Sequence, residues 1–138
     1  MKILVTGATG FIGRKLCESL ASQGHIVHAL CRNVHHPLLI KHKLIIPFKG
    51  NLSEKNTISV AMKNCEQVYH TAALAKMWCR DKNEYYKINV EGTKNVLEAA
   101  IQADVKKIVH TSLATLDFSS ASRFSFSRRS FSAASARC

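Results

Sequence analysis

The stretch TGATGFIG, residues 6–13, spaces Gly7, Gly10 and Gly13 as G-x-x-G-x-x-G directly behind the apolar run KILVT. Glycines at that interval let something large and anionic approach the backbone. The first permits a tight turn, the second brings main chain and ligand together, and the third lets the following helix pack closely. A helix N-terminus adds free N–H groups and a partial positive charge, which suit a pyrophosphate. Glycine also marks turns that bind nothing. Here the triplet sits between a strand and a helix inside a strand-helix-strand unit of about thirty residues, the setting of a dinucleotide site.

Such sites choose their dinucleotide about twenty residues past the glycines, where a carboxylate accepts from a ribose 2′-OH. This chain reads HALCRNV there, with no acid and with Arg32. A guanidinium binds a 2′-phosphate through two N–H donors, and a carboxylate would repel it. The residues therefore point to NADP(H), with NAD the lesser option. Arg14, just after the third glycine, adds positive potential; an ordinary exposed arginine at a strand end is the bland alternative for Arg32.

The elements that must position these groups alternate. KILVT (2–6) reads as a buried strand, followed by a helix with Ile12, Leu16, Cys17, Leu20 and Ala21 on one face, stopped at Gly24. HIVHAL (25–30) is a second strand, VHHPLLIKHK (34–43) an irregular or helical crossover, and KLIIPF (43–48) a third strand with Pro47 near its end. Ser53 is placed to cap a helix bearing Ile58, Ala61, Met62 and Cys65. A fourth strand covers 66–70. A long helix from about Asp81 to Ala103 carries Tyr86, Val90, Thr93, Leu97 and Ala100, and KKIVHT (106–111) is a fifth strand. Five strands alternating with helices predict an α/β, doubly wound parallel sheet in order 3-2-1-4-5, its strands apolar and buried on both faces.

At 138 residues, 46% hydrophobic and 21% charged, the chain holds one domain. After Phe118 the texture changes: SSASRFSFSRRSFSAASARC (119–138) has eight serines, four arginines and no acid in twenty residues. The domain is thus drawn as 1–118 and the end as a disordered tail. The tail supplies four of the +11 net charges, and the rest are spread thinly. That pattern lacks the dense basic patch of a nucleic-acid binder, although FSRRSF leaves a short arginine/serine segment as a third option. Cys17, Cys31, Cys65, Cys79 and Cys138 form no C-x-x-C pair, as in a reduced cytoplasmic chain. No apolar run is long enough to span a bilayer, and no membrane partner is expected. His25, His28, His35, His36, His42 and His70 lack metal-ligand spacing and read as surface or hydrogen-bonded structural residues.

TGATGFIG resembles the extended branch of the short-chain dehydrogenase/reductase superfamily, the NAD(P)-dependent epimerases, dehydratases and reductases. KGNLSE (49–54), VYHTAAL (68–74), NVEGTKNVLEAA (89–100) and KKIVHTS (106–112) follow in that branch's order, with a likeness to plant dihydroflavonol-reductase-like members. The resemblance implies a nicotinamide dinucleotide held by Gly7, Thr9, Gly10, Phe11, Ile12 and Gly13, by Arg32, by Asn51 and Leu52, by Thr71, Ala72 and Ala73, and by Thr111. Asn51 stands where the family has an aspartate on the adenine, which weakens that contact without removing it.

The family's proton donor is a tyrosine in Y-x-x-x-K, whose lysine lies one helical turn away and lowers its pKa. Four residues after Tyr69, Tyr85 and Tyr86 come Ala73, Asn89 and Val90, so the pair is absent. The family's T-S-S has become HTSLATLD, with Leu113 at the serine position. No residue is assigned a catalytic role, and Asn89, similar to a helix asparagine of the family's proton relay, is assigned a structural one. The resemblance covers roughly 1–112 and implies a truncated NADP(H)-binding half of a reductase. The alternative is a non-catalytic dinucleotide-binding or regulatory module that pairs with itself or with full-length relatives.

Overall fold

A computed structural model describes residues 1–74 and 82–112. The elements are β1 (Lys2–Thr6), α1 (Phe11–Ser22), β2 (Ile26–Cys31), β3 (Ile45–Lys49), α2 (Lys55–Met62), β4 (Gln67–His70), α3 (Lys82–Tyr85), a π-helical segment (Tyr86–Glu91), α4 (Gly92–Gln102) and β5 (Lys107–His110). All strand pairs are parallel, and the sheet runs β3-β2-β1-β4-β5. This is the doubly wound order expected from the alternating pattern, and it puts the turn after β1 at the switch point.

Alternation along the strands builds two cores. Ile3, Val5, Val27 and Ala29 face Cys17, Leu20 and Ala21 of α1. Leu4, Leu30 and Val68 face Ile58, Ala61 and Met62 of α2 and Val96, Ala99 and Ala100 of α4. Cys17 and Cys65 lie one in each layer, and burial pushes their thiols up to about 12 and about 11. The helix α1 ends at Gly24, whose φ of +84° suits glycine; its N–H bonds Ala21 O and the next N–H, from His25, bonds Leu20 O. Among the described residues no helix is long and apolar enough to cross a membrane.

Several sequence expectations change. The helix expected over 81–103 is three pieces, and its middle turn is π: Gly92 N–H bonds Lys87 O, five residues back. The wider turn shifts the helical register. Tyr86 and Val90 become exposed, and Ile88 instead packs against the α2/α4 core. Ser53 is not the cap of α2. Glu54 holds that position without a side-chain bond, while Ser53 N–H is taken by Asn51 Oδ1 at 3.3 Å and Thr57 Oγ1 donates to Glu54 O at 2.8 Å.

Pro47 stands in the middle of β3, opposite Ala29, rather than near its end. An edge strand tolerates it because the missing donor can fall on the unpaired side. The crossover is a series of turns: His36 and His42 accept with Nδ1 from the N–H groups of Leu38 and Leu44. The double burial expected of the strands holds for β1 and β2 but not for the outer strands, and β5 is exposed or half-buried throughout. Leu113 and the serine/arginine-rich end lie outside the described residues.

Candidate functional site

Behind the C-terminal ends of β1, β2, β3 and β4 lies a cleft of about 490 Å³, the size range of small-molecule sites. Gly7 sits at its floor with φ +72°, a left-handed conformation. A Cβ there would stand 2.8 Å from Ala72 N, so the turn and the strand after β4 touch backbone to backbone. Gly10 N–H closes the turn onto Gly7 O at 2.9 Å, and Arg14 N–H bonds Gly10 O as α1 begins. Gly10 itself caps α1 with no side-chain bond, and the first turn carries no acid. The opening N–H groups of the helix therefore remain free for an anion. Gly13 packs behind them. A Cβ there would overlap the Gly7 carbonyl and stand 2.9 Å from Thr71 Oγ1.

One side of the cleft is lined by Leu30, Cys31 and Arg32 at the end of β2 and by Gly50, Asn51, Leu52 and Ser53 after β3. Asn95 Nδ2 donates to Leu52 O at 2.8 Å, and Gly92 lets α4 pass against the Leu52 side chain, so α4 fixes this loop. Burial raises the Cys31 thiol above its ordinary value. The other side is lined by Thr71, Ala72, Ala73 and Leu74, with Glu84 and Ile88 from the helices beyond. Asn89 grips this wall: its Oδ1 accepts from Leu74 N–H at 2.8 Å and its Nδ2 donates to Leu74 O at 3.1 Å.

The same wall is tied inward by a chain of bonds whose protons can be assigned. Thr93 Oγ1 donates to Asn89 O at 2.7 Å, so it must accept from His70 Nε2–H at 3.0 Å. The neutral ring then accepts at Nδ1 from Thr6 Oγ1–H at 2.6 Å, and Thr6 Oγ1 accepts from Ala72 N–H at 3.3 Å. Thr71 Oγ1 adds a bond to Thr6 O at 2.7 Å. Burial, together with the His110 ring stacked 5.0 Å away, lowers His70 to about 4. A second proton, on Nδ1, would face Thr6 Oγ1 and leave that hydroxyl's own proton without its acceptor, while Thr93 would be unaffected.

Of the residues expected at the site, Gly7, Thr9, Gly10, Arg32, Asn51, Leu52, Thr71, Ala72 and Ala73 line the cleft together. Phe11 and Ile12 are largely exposed and outside its lining, leaving their main chain at the helix start to face an anion. Gly13 shapes the turn from behind. Thr111 stands apart: it is exposed at the end of β5, one strand beyond β4, and its N–H bonds His70 O. Thr6, Leu30, Cys31, Gly50, Ser53, Leu74, Glu84 and Ile88 also line the cleft and were not singled out as site residues. Leu74 closed the VYHTAAL motif, while Glu84 reaches the cleft from α3 and Ile88 from the π-helical segment.

The sequence model of the NAD dependent epimerase/dehydratase family matches residues 3–116. The chain belongs to that family. It is 34% identical over 112 residues to "Sterol demethylase protein B" of Methylococcus capsulatus, covering 81% of this chain and 34% of the relative. It is 35% identical over 108 residues to a putative dihydroflavonol 4-reductase of a Synechocystis strain, covering 78% of this chain and 31% of the relative. Among solved structures, MoeE5 in complex with UDP-glucuronic acid and NAD superposes with a TM-score of 0.71 at 34% identity, over 81% of this chain and 36% of that one. The chain thus spans about a third of the length of these epimerase/dehydratase relatives.

Proposed function

We propose that these 138 residues form the NADP(H)-binding part of a dihydroflavonol-reductase-like oxidoreductase and that alone they bind the dinucleotide without turning over substrate. The observation that carries the cofactor choice is Arg32. It lines the cleft at the end of β2, and Glu84, on the opposite side, is the carboxylate among the described lining residues. The donor set fits a dinucleotide: an uncapped helix start for the pyrophosphate, a bare Gly10 beside it, and a guanidinium where a 2′-phosphate would lie. When bound, the nicotinamide supplies the hydride. This chain's part would be to hold the phosphates at the open start of α1, with Thr71, Ala72 and Ala73 forming the wall along which the ribose and phosphates would pass. The sequence contains no Y-x-x-x-K to deliver the matching proton, which supports binding without turnover.

Titrating NADPH and NADH against the protein and against Arg32→Ala tests the reading. NADPH should bind about ten- to a hundredfold more tightly, the value of one charge-assisted contact, and the substitution should erase the gap. Equal affinities that Arg32→Ala leaves unchanged would remove Arg32 from the site. Cofactor-dependent reduction of a dihydroflavonol by this chain alone would overturn the second half.

A further inference from the structure

Neither His70 nor Thr93 lines the cleft, yet the bonds they make begin and end on residues that shape it. Asn89 holds the wall twice. Its side chain takes both main-chain groups of Leu74, and its carbonyl starts the chain that passes through Thr93, His70 and Thr6 to Ala72 N–H. The result is a closed ring of hydrogen bonds around residues 72–74. Ala72 is also the residue against which Gly7 rests, so any drift of Ala72 presses on the glycine turn.

We propose that His70 is a positioning residue of the dinucleotide cleft, transmitting the placement of the π-helical segment at Asn89 to the cleft wall at Ala72 through Thr93 and Thr6. The ring does this in one form only. With the proton on Nε2 every partner is satisfied; moved to Nδ1, Thr93 would have to donate to the ring and would release Asn89 O. The titratable group facing His70 from a neighbouring strand is His110, stacked on it from β5. The inference rests on the dinucleotide reading above for its ligand, but not for its geometry.

The test uses Thr93→Val, His70→Leu and His70→Gln in this chain, each with two readouts taken well below its melting temperature. The first is the dissociation constant for NADPH; the second is amide hydrogen exchange at Ala72. Thr93→Val and His70→Leu should weaken NADPH roughly fivefold, as one lost hydrogen bond would, and speed exchange at Ala72 by a similar factor. His70→Gln retains a donor and an acceptor on one shared carbon, as the two ring nitrogens are, and should restore both to within about twofold. A residue that merely supports the sheet would lower the melting temperature and leave both readouts alone. Unchanged affinity and unchanged Ala72 exchange in Thr93→Val overturn the proposal, and that variant decides the matter if His70→Leu does not fold. If the unmodified chain binds neither NADPH nor NADH, the functional reading fails, and exchange at Ala72 still decides the role of His70.

Discussion

The half of the cleft around the glycine turn and the ends of β2 and β3 is shaped largely by what its residues leave out. Gly7 and Gly13 omit side chains that would strike Ala72 and the Gly7 carbonyl, and Gly10 omits a side chain over the helix start. The half after β4 is shaped by bonds that its residues make: Asn89 to Leu74, His70 to two threonines, Thr6 to Ala72. Apart from Arg32 and Asn51, both halves act mainly by holding backbone in place. They differ in how they fail. A steric half breaks abruptly with one added carbon, whereas a bonded half loosens in steps and responds to protons.

The abrupt failure is the largest effect expected. Gly13→Ala inserts a Cβ into the Gly7 carbonyl and beside Thr71 Oγ1, with no flexible neighbour to yield. Urea denaturation should show a loss of about 3 kcal/mol, at the top of the range for overpacking, and NADPH binding should vanish. A variant of near-normal stability would mean that α1 can slide away from the turn, and the contrast between the halves would weaken.

The response to protons comes next. Folded, His70 stays neutral down to about pH 4; unfolded, it takes a proton below about 6.5. Between those values the unfolded state binds more protons, so stability falls as pH falls through that window and is level above it. The full drop is about 3 kcal/mol, spread over more than two pH units. Urea midpoints from pH 7 to 4 measure it, and His70→Gln should flatten that limb. A limb of the same size in His70→Gln would assign it to other groups.

The smallest effect separates one bond pair from the ring. Asn89→Ala removes the grip on Leu74 but leaves its carbonyl for Thr93. It should cost about 1–2 kcal/mol, the usual worth of such partly buried bonds, with the Leu74 amide losing exchange protection before Ala72 does. Simultaneous loss at both would show the ring to be more cooperative than two separate anchors.

The steric half was legible in the sequence because its signal is local. Three glycines at fixed spacing behind KILVT define the turn, and the position of Arg32 follows from counting past them. The strand order was legible too, since alternating apolar runs and helices leave few right-handed parallel arrangements. The bonded half was read only as motifs. His70 was expected to be structural, but its partners lie 64 positions before it and 23 after it, and no periodicity announces them. The π turn was hidden because Tyr86, Val90, Thr93, Leu97 and Ala100 also fit an ordinary helix. One extra residue in a turn re-aims Ile88 without altering composition. Thr111 was expected from its place in a motif; it is exposed after β5, outside the lining of the cleft, with its N–H on His70 O.

The two sealed cysteines make the chain its own reporter of how it comes apart. Cys17 lies on the buried face of α1, and Cys65 follows α2 in the layer that α2 shares with α4, each with a thiol held far from its reactive anion. Neither sulfur meets an electrophile until its own layer peels from the sheet. Timed alkylation followed by mass mapping would therefore clock the detachment of each helical layer separately, and would tell whether the side bearing the glycine-turn helix or the side bearing the π turn lets go first.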